Sequence, residues 1–318
     1  MKIVILDGYS VNPGDKSWEP LQKYGEVTVY DRTAPTETAE RIRGAEVVFT
    51  NKVCITRELM AAAPALKCII VMATGYNIVD VAAAAEYGIT VCNAPGYSTF
   101  AVAQLTMAFL LEASLHVGEH SRAVHNRRWI ECPDFTFWDY PLVELEGKTL
   151  GIYGCGAIGH RVAALADAFG MKVLGYRRSA EPGTTEGPIH YVDRETLFAN
   201  SQYLTFHCPL NEESKGILCK ETIEKLPAGA VVINTARGGV AVAEDVAEAL
   251  RSGRLGCYCA DVIAAEPMVP EDPLCGAPNC ILTPHLAWAS SEARDRLLQI
   301  NEDNLKAYLA GTPIHTVK

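Results

Sequence analysis

Arg237, Glu266 and His285 are residue types that together suit one reaction. A guanidinium grips a carboxylate through two parallel hydrogen bonds, and a carboxylate orients an imidazole and favours its charged form. Such an imidazole is a general acid aimed at whatever the guanidinium holds. Each residue has a plainer reading: a solvated loop Arg, a Glu that opens a turn before Pro267, and a structural His. Each, however, stands at or just beyond the end of an apolar run that reads as a β-strand: Ala230 to Thr235, Gly256 to Asp261, and Cys280 to Pro284. Ligands of an open parallel α/β sheet bind outside the carboxyl ends of its strands, so residues from three neighbouring strands can converge on one small molecule.

The element upstream of this set is Gly154-Cys155-Gly156-Ala157-Ile158-Gly159. A bare GxGxxG is weak, but its surroundings give it weight. A strand-like run from Lys148 to Tyr153 precedes it, and an alanine-rich helical stretch from Arg161 to Phe169 follows. Gly170 then ends the helix, and Met171 to Tyr176 reads as the next strand, which completes a βαβ unit of roughly 30 residues. Glycines allow the tight turn and the close approach of a pyrophosphate, which rests on the helix N-terminus. Beyond the second strand, where an NAD site carries Asp or Glu, the chain has Arg177-Arg178-Ser179. Arg pairs with a 2′-phosphate that a carboxylate would repel, so NADPH is favoured over NADH; two ordinary solvated arginines are the competing reading.

The elements that must position these groups fall into two α/β units. Strand-like runs at Lys2 to Leu6, Val27 to Tyr30, Glu46 to Thr50, Lys67 to Ala73 and Thr90 to Cys92 make a small parallel-sheet domain. Pro95-Gly96 marks a break. Ser98 is the expected N-cap of one long helix toward Arg128, and an aromatic arm, Trp129 to Leu145, follows it. Further strands are expected at Thr149, Tyr203 to His207, and the three runs above, with Ser290 or Ser291 capping a last helix to about Leu309. The division is residues 1–97 plus 289–318 for a substrate domain and 98–288 for a dinucleotide (Rossmann) domain, two Rossmann-like parallel-sheet units with the active site in the cleft between them.

At 318 residues and 49% hydrophobic the chain is long enough for two cores, and its net charge of −10 argues against nucleic acid as a partner. No stretch reaches the ~18 apolar residues of a membrane helix, and the first apolar run is too short for a signal peptide. The eleven cysteines include no CxxC pair and read as reduced core thiols of a cytoplasmic protein without structural zinc. His116-Val117-Gly118-Glu119-His120 matches the HxxEH pattern and would place two histidines on one helix face, yet no third ligand is evident, and no metal is expected. Phe135, Phe137, Trp138 and Tyr140 exposed together would mark an interface, so a homodimer through the 98–145 helix and arm is expected; the competing reading folds the arm onto its own subunit.

Over nearly its whole length the chain resembles the D-isomer-specific 2-hydroxyacid dehydrogenases. The matching stretches are Ala73 to Asp80, the glycine motif, His207-Cys208-Pro209-Leu210, Asn234-Thr235-Ala236-Arg237-Gly238-Gly239, Asp261 with Glu266-Pro267, and Thr283-Pro284-His285. Leu6-Asp7-Gly8-Tyr9 and Phe137-Trp138-Asp139-Tyr140 are most similar to the hydroxypyruvate reductase (glycerate dehydrogenase) branch. The resemblance implies reduction of hydroxypyruvate or glyoxylate to the D-2-hydroxy acid by NAD(P)H. It implies that Arg237 binds the substrate carboxylate with amides around Thr74 and Gly75, that His285 protonates the carbonyl oxygen, and that Glu266 pairs with His285. Asp261, Thr235 and Ala236 would hold the nicotinamide end, His207, Cys208 and Pro209 the adenine side, Thr106 would touch the cofactor, and Trp138 would reach a neighbouring subunit's substrate cleft.

The chain departs from the family pattern at Gln104 (usually Glu), Cys257 (usually Ala or Gly) and Arg177 (Asp in NAD-dependent members). The alternatives are a dinucleotide-sensing corepressor of the same fold, a D-lactate dehydrogenase, and a phosphoglycerate dehydrogenase, the last disfavoured because no ligand-sensing domain follows. A formate dehydrogenase is less similar, since it pairs its histidine with Gln.

Overall fold

Short apolar runs become strands of two sheets in the computed structural model, which describes residues 1–317. The chain divides into two units, Met1–Ser98 with Trp288–Lys318, and Thr99–Ala287.

In the first unit five parallel strands, β1 (Lys2–Ile5), β2 (Glu26–Val29), β3 (Val47–Thr50), β4 (Cys68–Val71) and β5 (Thr90–Cys92), lie in the order β2-β1-β3-β4-β5. Every residue of β3 and β4 is buried, as expected of central parallel strands covered on both faces. The last helix, Ser291–Leu309, belongs to this unit, and the Ser290 hydroxyl accepts from the Ala293 amide at its start. Fully buried Asn304 fastens it to the sheet: its Nδ2 donates to the Asn93 carbonyl at 2.8 Å, and its Oδ1 lies 2.9 Å from His315 Nδ1.

The second unit carries an eight-stranded sheet. In chain order its strands are β6 (Thr149–Tyr153), β7 (Lys172–Tyr176), β8 (Thr185–Glu186), β9 (Ile189–Tyr191), β10 (Tyr203–Phe206), β11 (Ala230–Asn234), β12 (Leu255–Ala260) and β13 (Cys280–Leu282). Their spatial order is β13-β12-β11-β10-β6-β7-β9-β8, parallel except for the β8–β9 pair. From β6 the chain winds outward to β7 in one direction, and β10 lies on the other side. That reversal opens a crevice at the carboxyl ends of β6 and β10. One face of the sheet packs Phe198, Leu204, Phe206, Val232 and Tyr258. The other packs Ile152, Ile233 and Cys259 against Ala103, Met107, Phe109 and Leu110 of helix Thr99–Leu115.

Three expectations are corrected. The long helix is two helices, Thr99–Leu115 and Val117–His125, bent by 60°. The break is His116, whose φ of 49° is left-handed, and the Glu112 carboxylate accepts from the Gly118 amide across it. His116 stands at the break with its ring stacked on Tyr140, centroids 4.5 Å apart, and the His120 ring meets the same Tyr140 edge-on at 6.0 Å. The arm is also less uniformly exposed than its composition suggests. Phe137 lies under the Arg128 guanidinium and Tyr140 on His116, while Phe135 and Trp138 are 89% and 63% exposed. The β8–β9 hairpin was not foreseen, because its strands are too short to show a period. No single helix among the described residues is long and apolar enough to cross a membrane.

Asn304→Ala strands a buried carbonyl and removes two hydrogen bonds. A loss of about 1–3 kcal/mol is expected in urea unfolding, and an unchanged midpoint would contradict this anchoring role.

Candidate active site

The three strands β11, β12 and β13 are neighbours, and each delivers one member of the trio just beyond its carboxyl end. Fully buried Asn234 closes β11 and braces the turn: its Oδ1 accepts from the Ala236 amide at 3.0 Å, and its Nδ2 donates to the Arg237 carbonyl at 3.0 Å. Arg237 is exposed, with Nη1 donating to the Ala236 carbonyl. Gly238 follows because nothing larger fits. A Cβ there would lie 1.9 Å from the Ile263 carbonyl group, so the loop after β12 rests directly on the backbone beside Arg237.

That loop carries Glu266, whose Oε1 accepts from the Ile263 amide and whose Oε2 lies 2.6 Å from His285 Nδ1. A carboxylate only accepts, so Nδ1 is the donor, and Nε2 has no partner among the described residues. The pair is only partly exposed, 29% for the imidazole and 35% for the carboxylate. His285 has a φ of 52°, a left-handed conformation that costs energy for a residue with a Cβ. Buried Asp261 holds it there: Oδ1 accepts from Thr283 Oγ1 at 2.5 Å and from the Leu286 amide at 2.8 Å, and Oδ2 from the Ala287 amide at 2.8 Å. Its carboxylate thereby braces the loop that carries His285.

The glycine motif lies between β6 and helix Ala157–Ala168. Gly154 has φ of 104°, and a Cβ there would meet the Cys208 amide at 2.7 Å. Gly156 is extended, forms the helix N-cap without a side-chain cap, and faces open space where a Cβ would project. Uncapped amides at a 12-residue helix, with room in front of them, fit a pyrophosphate. Ala157 and Ile158 form the first helical turn, and the backbone of His207 and Cys208, which Pro209 follows, flanks the glycine turn. Burial pushes the Cys208 thiol up to about 11, so it is a neutral wall and not a nucleophile.

Thr106 and His207 belong to one buried chain of polar groups. Thr106 is fully buried, with its hydroxyl 3.2 Å from Thr235 Oγ1; Thr235 lies 3.4 Å from His207 Nδ1, and His207 Nε2 lies 3.1 Å from Thr205 Oγ1. Desolvation pushes His207 down to about 3, which leaves it a neutral relay inside this chain of hydroxyls. Both residues support β10 and β11 from behind. Arg177 and Arg178 are also not free cations. Arg177 meets Glu186 at 3.3 Å and Arg178 meets Glu213 at 3.7 Å; Ser179 is exposed beside them. Glu186 enters through the β8–β9 hairpin, whose strands are too short to show a period in the sequence. Thr74 and Gly75 belong to the other unit, just beyond the end of β4, where Thr74 Oγ1 donates to the Ala94 carbonyl.

Residues 107–287 match the family model described as D-isomer specific 2-hydroxyacid dehydrogenase, NAD binding domain. The chain belongs to the D-isomer-specific 2-hydroxyacid dehydrogenase family. It is 45% identical to a hydroxypyruvate reductase of Blautia hydrogenotrophica, over 100% of this chain and 99% of that protein. It is 36% identical to a glycerate dehydrogenase of Methylorubrum extorquens, with the same coverage. Among solved structures, an NADPH-dependent glyoxylate/hydroxypyruvate reductase of Sinorhizobium meliloti, in complex with citrate, superposes with a TM-score of 0.85 at 26% identity, covering 99% of this chain and 97% of that one. This 2-hydroxyacid dehydrogenase is thus an oxidoreductase that takes a nicotinamide dinucleotide, and its glycine turn fits that group.

Asp261→Ala would leave the Leu286 and Ala287 amides without their acceptor. Unfolding in urea should show a loss of about 1–3 kcal/mol, and full retention of stability would mean the carboxylate is not what holds the loop.

Proposed function

We propose that this dehydrogenase reduces a small 2-oxo acid, hydroxypyruvate or glyoxylate, to the D-2-hydroxy acid. The observation that carries the reading is the 2.6 Å Glu266–His285 pair, delivered beside Arg237 from adjacent strands of a dinucleotide-binding sheet. The cofactor supplies a hydride to the carbonyl carbon when bound. Arg237 holds the substrate carboxylate with paired N–H donors, which fixes the orientation of the adjoining carbonyl. His285 gives the proton on Nε2 to the carbonyl oxygen as negative charge develops there. Glu266 accepts from Nδ1 throughout, which sets the ring plane and stabilises the charged imidazole. Asp261 acts one step back, as a positioning residue for the His285 loop.

NADPH is the favoured donor, because Arg177, Arg178 and Ser179 stand where a carboxylate would otherwise bind ribose hydroxyls. The protein works in a reducing compartment, the cytoplasm, since its eleven cysteines are all free thiols. It acts as a homodimer built on helix Thr99–Leu115 and the arm, where Ile130, Phe135, Trp138 and Leu142 are all more than half exposed. In that assembly Trp138 narrows the partner's substrate site to small side chains.

His285→Ala should lower kcat by ~10²-fold or more while dinucleotide binding persists. Arg237→Ala should raise KM for the oxo acid. Glu266→Gln should lower kcat by roughly tenfold or more, the scale of a lost charge-assisted hydrogen bond. Near-normal turnover of hydroxypyruvate and glyoxylate by a folded variant would remove that residue from the mechanism.

A dimer of this kind buries more than about 2,000 Å². Sedimentation at micromolar protein should give twice the chain mass, and a species of one chain mass alone would refute the assembly.

A further inference from the structure

The β8–β9 hairpin brings a carboxylate against the cationic end of the dinucleotide site. Glu186 closes β8, and its Oε2 accepts from Tyr191 Oη at 2.8 Å while meeting Arg177 Nη2 at 3.3 Å. Its Oε1 lies 3.3 Å from His160 Nε2, and His160 Nδ1 lies 2.9 Å from the Gly156 carbonyl of the glycine turn. Arg177 is itself laid along that turn. Its Nη1 lies 3.5 Å from the Cys155 carbonyl, its guanidinium stands 5.1 Å over the Tyr191 ring, and its Nε is buried without a partner. Glu186 is thus held by Tyr191 and Arg177 beside the residue that follows β7.

We propose that Glu186 is a specificity-determining residue for the cofactor, competing with the 2′-phosphate of NADP(H) for the Arg177 guanidinium. The inference rests on the reading that Arg177 meets that phosphate. A guanidinium offers two hydrogen-bonding edges, and here one Nη is engaged by a carboxylate held in place by Tyr191. A dianionic phosphate arriving there must displace Glu186 or tolerate its charge, and either lowers the gain from the contact. Ribose hydroxyls carry no charge and meet no such opposition. Arg178 is the freer cation, since its pair with Glu213 is long and its side chain is 83% exposed, and it keeps part of the attraction for the phosphate. Glu186 therefore narrows the NADPH preference that the two arginines would otherwise give, and keeps NADH usable.

The test is titration of the whole protein with 2′,5′-ADP and with 5′-AMP, which differ only in the 2′-phosphate. Glu186→Gln keeps an acceptor for Tyr191 and removes the charge. It should tighten 2′,5′-ADP by about tenfold, within the range of a charge-assisted hydrogen bond, and leave 5′-AMP within about twofold, which also reports an intact site. In an Arg177→Ala background the same change should have no such effect. Weaker or unchanged 2′,5′-ADP binding by Glu186→Gln, with Arg177→Ala still weakening it, overturns the role of Glu186 alone. If Arg177→Ala binds 2′,5′-ADP as well as the wild type does, the phosphate reading of Arg177 falls and this inference falls with it.

Discussion

The carboxylate of Asp261 is the constraint on which the site depends. It is buried at the end of β12, and it spends its acceptor capacity on one hydroxyl and two amides of the loop after β13. Those bonds hold His285 at a left-handed φ that its own backbone disfavours, and that conformation sets Nδ1 on Glu266 and leaves Nε2 without a partner among the described residues. Gly238 adds the second constraint by letting the Glu266 loop settle on the backbone next to Arg237. His285, Glu266 and Arg237 are thus fixed by backbone contacts among three adjacent strand ends, which is the rigidity that the proposed proton transfer would require.

The cofactor end is built differently. Glycines at 154 and 156 leave amides and space at a helix N-terminus, which fits a pyrophosphate, while the proposed selection at the ribose would fall to side chains just after β7 and on the hairpin beyond it. Behind both, the neutral His207 and its threonine neighbours fill the ends of β10 and β11 with satisfied polar groups and no charge.

Much of this was legible in the sequence, for identifiable reasons. Parallel strands buried on both faces read as unbroken apolar runs, so nearly all of them could be located, and their ends pointed to Arg237, Glu266 and His285. The glycine motif was readable because backbone conformation demands that residue type. What escaped depends on tertiary geometry. A left-handed His116 that breaks a helix leaves no mark in an otherwise helical pattern, and two-residue strands such as β8 have no period to detect. Asp261 and Thr106 could be recognised as site residues, but whether they face a ligand or the protein depends on which amides and hydroxyls lie near them. The pairing of Arg177 with Glu186 was invisible for the same reason.

The account is tested most directly by following the transferred hydrogen. The protein should be mixed with hydroxypyruvate and a reduced dinucleotide carrying deuterium at both nicotinamide C4 positions, and the product separated on a chiral column and weighed by mass spectrometry. The account predicts D-glycerate carrying one deuterium at C2. An L product, or glycerate without the label, would contradict it.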